Sequence, residues 1–272
     1  MRRLFTSGRS ILGRKAAPEA APVTPEPVPE PVPVPVPVPA LFQHIQKTAG
    51  TTIVEIASQR YGSNMTSHGD HVGKPPGEFV DVPFVSGHFG FDFARQLMAD
   101  RYSFTFLRDP VKRVLSMYYY CRRQEPDASP MYRIAQELDL ESFLRSALDS
   151  PLVKSRIWNN QVWQLAHGWA NLDNRQIDDF EPSRLLDMAK DNLQAFSHVG
   201  FTEDFETDRN IILESLGLQK PQENVIANAR EQTSETELSP AERELLEKVT
   251  SLDQALYQYA WNIRKTADRG AP

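Results

Sequence analysis

Short apolar runs alternate along the chain with segments whose apolar positions recur every three to four residues. The runs at 41–46, 83–86, 103–107 and 198–201 have the length and composition of buried strands. Helical spacing appears near 51–60, 91–98, 111–123, 140–148, 154–167, 183–194 and 203–216. A last helix is announced by Ser239-Pro240-Ala241-Glu242, a capping box with proline in its first turn. Strands alternating with helices predict a single α/β domain over residues 40–272, a central parallel sheet flanked by helices.

The first apolar run breaks into Gln46-Lys47-Thr48-Ala49-Gly50-Thr51-Thr52 before the pattern resumes at Ile53. A strand, a tight turn and a helix start place unpaired backbone N–H groups at the positive end of a helix, which suits an anion. Gly50 permits close backbone approach, Lys47 supplies charge and the threonines supply donors. The Walker pattern G-x-x-x-x-G-K-[ST] puts its lysine after the second glycine, whereas Lys47 precedes the only glycine here. Taken alone, the loop is equally compatible with an ordinary surface turn.

A second stretch, SFTFLRDPVKRVLSMYYYCRR at 103–123, changes that balance. Asp109 and Pro110 give an N-cap acceptor followed by proline at the first helical position. Arg108 ends the preceding strand, and Ser116 lies about two turns along the helix. The guanidinium fork and the hydroxyl together suit one dianionic phosphate. Arg113 either joins them or pairs with Asp109, the pairing being preferred.

Of six histidines, His88 is the base candidate, because it ends a strand at the edge where α/β sheets gather ligands. His68 and His71 have a spacing open to metal, but no cysteine or acidic cluster completes a site, so no metal is expected. His44 reads as strand packing, and His167 and His198 have no evident partners. Tyr118 to Tyr120, Arg156, Trp158, Asn160, Gln161 and Trp163 offer aromatic faces and amides for an acceptor, or helix packing.

HIQKTAGTT together with FLRDPVKRVLSMYYY resembles the sulfotransferase superfamily, above all the heparan sulfate 2-O- and 6-O-sulfotransferases and their bacterial relatives. The likeness extends weakly to Asn159-Asn160-Gln161, to Val199-Gly200-Phe201-Thr202-Glu203 and to Leu252-Asp253-Gln254-Ala255-Leu256-Tyr257. It implies a P-loop-like sheet and 3′-phosphoadenosine 5′-phosphosulfate (PAPS) as donor, with 3′,5′-ADP as product. Lys47, Thr48, Ala49, Gly50, Thr51 and Thr52 would then bind the 5′-phosphosulfate, and Arg108 and Ser116 the 3′-phosphate. The family's catalytic histidine between its two PAPS motifs corresponds to His88, and Lys47 becomes the cation at the leaving phosphate. The family often has Thr then Arg where this chain has Val162-Trp163, which leaves the acceptor open. The expected reaction is sulfuryl transfer to a hydroxyl of a carbohydrate or glycolipid. The rival readings are a P-loop phosphotransferase using ATP and Mg²⁺, and a non-catalytic module that binds PAPS or a glycan.

Composition narrows the setting. The net charge of −6 conceals five basic and no acidic residues in 1–17, so the remaining chain is more acidic still. That argues against nucleic acid and against a densely sulfated acceptor. One cysteine, Cys121, excludes an internal disulfide framework and fits a reducing, cytoplasmic setting. Residues 18–39 hold ten of the 21 prolines, a polyproline II linker. Residues 1–15 place apolar side chains on one helical face and basic ones mostly elsewhere, which allows peripheral membrane contact, an organelle transit peptide or an unstructured terminus.

Overall fold

Strand order decides where this fold can hold a ligand. The computed structural model describes residues 38–169, 175–220 and 238–270, which belong to one compact unit, Val36–Pro272. The expected basic segment and nearly all of the proline-rich linker lie outside the described residues. Strands β1 (Ala40–Gln43), β2 (Phe84–Gly87), β3 (Tyr102–Leu107) and β4 (His198–Phe201) form one parallel sheet in the order β2-β1-β3-β4. The chain leaves β1 toward β2 on one side and returns to β3 on the other. That reversal opens a crevice beyond the carboxyl ends of β1 and β3. The junctions carrying Lys47 and Arg108 are the ones that meet there.

The helices are α1 (Gly50–Tyr61), α2 (Phe91–Ala94), α3 (Pro110–Cys121), α4 (Pro130–Glu137) and α5 (Leu140–Ser146). They continue as α6 (Pro151–Ile157), α7 (Asn160–Ala166), α8 (Pro182–Leu193), α9 (Phe205–Ser215) and α10 (Pro240–Gly270). Both faces of the sheet are covered, so its strands are largely apolar, and the polar Gln43, Ser86, Ser103 and Thr105 are buried within them. Phe42, Phe104 and Phe106 pack with Ile53 and Ala57 of α1 and with Phe205 and Ile212 of α9. Leu41 and Val85 pack with Phe93 and Ala94 of α2 on the other face. No helix of the described residues is long and apolar enough to cross a membrane.

The continuous helical pattern over 154–167 becomes two helices. Asn159 interrupts it with a left-handed backbone (φ 41°). The break is held from α10: Asn159 N–H donates to the Val249 carbonyl at 2.7 Å, and its Oδ1 accepts from the N–H groups of Leu252 and Asp253 at 2.8 and 3.2 Å. The capping box of α10 forms as expected, with Glu242 N–H to Ser239 Oγ at 3.2 Å and Ser239 N–H to Glu242 Oε2 at 2.7 Å.

Candidate active site

The loop after β1 is built on strained backbone. Lys47 (φ 70°) and Ala49 (φ 63°) are both left-handed without being glycine, a cost of about 1–3 kcal/mol each that persists where the surroundings impose it. Thr48 is buried, and its hydroxyl donates to the Ile45 carbonyl at 2.8 Å. That bond closes the turn and commits the hydroxyl to the loop itself. No side chain caps α1, so the positive end of that helix faces the loop. The structure adds a packing reason for Gly50. A Cβ there would stand 2.1 Å from the His44 ring, so glycine lets α1 start against that imidazole.

Arg108 reaches across from the end of β3 and donates from Nη1 to the Lys47 carbonyl at 3.1 Å. Two motifs 61 residues apart are thereby one locus. The Arg108 backbone is clamped by Gln161, whose Oε1 accepts from its N–H and whose Nε2 donates to its carbonyl, both at 2.9 Å. Glu203 Oε1 accepts the Asp109 N–H at 2.9 Å, and the Thr202 hydroxyl donates to the Leu107 carbonyl at 3.1 Å. Asp109 caps α3 through Lys112 N–H at 2.9 Å. Ser116 lies buried on α3.

The expected Arg113–Asp109 pair does not form. Arg113 is fully buried, and its Nη2 donates to the Arg156 carbonyl at 3.1 Å. Asp253, also fully buried, supplies the nearby negative charge while it accepts N–H groups of Gln161 and Val162 at 3.2 and 2.8 Å. Arg113 therefore ties α3 to the end of α6 from inside and is not a surface partner of the cap.

Lys47 lies with its ammonium 3.9 Å from the centroid of the Tyr120 ring. Burial, then the positive charges of Arg108 and Arg123, lower its pKa from 10.5 to about 8. Cations crowded at a helix start make a positive field of the kind a polyanion requires.

His88 follows β2, and its Nδ1–H donates to the His44 carbonyl at 2.7 Å. That bond fixes the tautomer and leaves the Nε2 lone pair available. Burial, the largest influence, lowers its pKa to about 4, so the ring is neutral at pH 7. His44 is not simple strand packing: it sits just beyond β1, stacks on Phe42 and is 4.5 Å, centroid to centroid, from His88. His68 completes a triangle with those two rings, while His71 turns away into Phe89 and Phe93. His198 and His167 do have partners, Asp208 Oδ1 at 2.9 Å and the Asp92 carboxylate.

Several acceptor candidates are occupied elsewhere. Asn160 bonds Ser155 and Gln164, Trp163 packs with His167 and Phe180, and Tyr118 donates to the Leu138 carbonyl. Arg156 remains close enough to His88 to depress its pKa, and stacks on Trp169 at 4.4 Å. The bracing roles of Glu203 and Asp253 and the meeting of His44 with His68 were not anticipated, because they depend on contacts remote in sequence.

A model of the sulfotransferase family matches residues 39–260. No curated protein matches the sequence. Among solved structures, mouse sulfotransferase SULT7A1 complexed with PAP aligns at 14% identity and a TM-score of 0.33, over 67% of this chain and 60% of that one. The chain thus spans less than two thirds of that protein's length.

Proposed function

The chain belongs to the sulfotransferase family, and from that premise we propose that it transfers a sulfuryl group from PAPS to a hydroxyl, most fittingly on a carbohydrate or glycolipid. The observation that carries the reading is the Arg108–Lys47 bond, which joins the two candidate anion grips at the crevice of the sheet. The residues present fit a nucleotide with two anionic ends: an uncapped helix start, a crowded lysine and a clamped arginine. Lys47, Thr48, Ala49, Gly50, Thr51 and Thr52 would hold the 5′ end, with Thr48 shaping the loop and contributing backbone. Arg108 and Ser116 would hold the 3′-phosphate. PAPS, when bound, supplies the sulfuryl group and leaves 3′,5′-ADP.

His88 accepts the acceptor hydroxyl's proton at Nε2, its other nitrogen being tied to the His44 carbonyl. Lys47 offers positive charge at the leaving phosphate, which is worth most where burial has stripped its hydration. The Arg156–Trp169 stack beside His88 gives an acceptor a cation and an aromatic face.

The test is transfer of label from radiolabelled PAPS to hydroxyl acceptors, including a glycan extract. Expected are binding of 3′,5′-ADP in preference to ATP without Mg²⁺, and a ~10²–10⁴-fold drop in turnover for His88→Ala. A preference for ATP with Mg²⁺ would move the chain to the phosphotransferases. Tight 3′,5′-ADP binding with no transfer to any acceptor would make it a binding module.

A further inference from the structure

We infer that His44, His68 and His88 form a binding site for a divalent transition cation of the zinc class. Each offers one ring nitrogen, and the three nitrogens lie within 4.8 Å of one another. The ring centroids stand 4.5, 5.4 and 5.6 Å apart. Three imidazoles with one position open are the donor set of catalytic zinc sites, and imidazole without carboxylate favours zinc, cobalt or nickel over Mg²⁺ and Ca²⁺. Zinc–nitrogen bonds of about 2.0–2.1 Å place tetrahedral donors about 3.4 Å apart, so the rings need to close by at most about 1.4 Å.

The backbone has already done most of the assembly. His88 N–H donates to the His68 carbonyl at 2.9 Å, His88 Nδ1 to the His44 carbonyl at 2.7 Å, and His44 N–H to the Gly87 carbonyl at 3.0 Å. Three separate segments are cross-tied at the three histidines. A ring Nδ1–H bonded to a backbone carbonyl is also the outer support that orients metal-ligating histidines. His44 Nδ1 is buried with no hydrogen-bond partner, an uncompensated polar atom that asks for a ligand or ion nearby. The third ligand can move, because His68 is exposed on a turn in the left-handed conformation (φ 47°).

Occupation would take the Nε2 lone pair of His88, so zinc should also inhibit transfer; that corollary rests on the proposed base role. The probe is Co²⁺ titrated into chelator-treated full-length chain carrying no polyhistidine tag, followed by visible absorption, with Zn²⁺ calorimetry alongside. Expected are saturation at about one equivalent, no response to Mg²⁺, and at least ~10-fold weaker binding in His68→Ala with an unchanged circular dichroism spectrum. No saturable binding would overturn the site, as would binding undiminished in both His68→Ala and His44→Gln. Metal binding without inhibition would keep the site and remove His88 from the base role, so the two readings fail separately.

Discussion

Lys47 offers the sharpest test of the anion site, because its burial makes donor binding depend on pH. In the free protein burial and the Arg108 and Arg123 charges hold its pKa at about 8. A bound phosphate opposes both effects and pulls the pKa back toward 10.5. The bound state then keeps its proton where the free state has lost it, so affinity is full below pH 8 and falls as pH rises from 8 toward 10.5. Complete restoration amounts to ~3 kcal/mol, a few-hundred-fold in affinity. Since the ammonium keeps some hydration, and since the assay stops short of 10.5, the expected loss between pH 7.5 and 9.5 is about 10- to 20-fold. The ligand's own phosphates are fully ionised across that range. Calorimetry with 3′,5′-ADP in two buffers of different ionisation heat measures both affinity and proton uptake, which should approach about one proton at pH 9. Lys47→Met should bind weakly with no slope. A parent affinity flat within about twofold, or the same slope in Lys47→Met, would refute the argument.

Arg108→Ala should weaken 3′,5′-ADP by ~1.5–3 kcal/mol, the scale of a charged hydrogen bond. The Lys47 carbonyl contact adds ~1 kcal/mol of loss for 5′-AMP as well, and equal losses for the two nucleotides would place Arg108 away from the 3′-phosphate. Gly50→Ala drives a Cβ into the His44 ring and should destabilise by ~1–3 kcal/mol in urea unfolding. Adding His44→Ala should recover part of that loss, and strictly additive losses would contradict the close packing. Removing residues 1–37 keeps Val38 and Pro39, whose carbonyls accept from Tyr61 Oη at 2.7 Å and Tyr102 N–H at 2.9 Å. Turnover on a small soluble acceptor should persist in that truncated chain, and its loss would show that the tail contributes to the domain.

The sheet was legible because its strands are buried on both faces and announce themselves as apolar runs; the observed strands fall within two residues of 41–46, 83–86, 103–107 and 198–201, except that β1 ends three residues earlier, at Gln43. The α3 start was legible because Asp109-Pro110 is a local signal. Helix α4 was missed although Ser129 caps it through Met131 N–H at 3.3 Å and Pro130 opens it. There the signal is as local as the one at α3. The break at Asn159 was not readable, since nothing nearby demands a left-handed residue; the demand comes from α10, about ninety residues on. Arg113 misled for a related reason: its neighbour Asp109 lies close in sequence, but its counter-charge Asp253 does not. The histidine triangle joins three loops that no spacing rule connects.

Helix α10 gives the chain a particular order of assembly. It contributes none of the proposed donor contacts, yet Asp253 caps α7, Tyr257 Oη donates to Glu203 Oε2 at 3.0 Å, and Arg264 bonds Asp208 and Asp204, both at 2.7 Å. Asp208 in turn receives the Phe201 N–H at 2.7 Å at the end of β4. The Lys47 loop and the Arg108 turn precede α10 in the sequence, so the residues that brace Gln161 and Glu203 from α10 are synthesised after them. Until α10 has emerged from the ribosome, the Gln161 and Glu203 contacts to the Arg108 turn lack the support of Asp253 and Tyr257. A nascent chain stalled short of that point would carry every donor-binding residue and still lack the support that holds them in place.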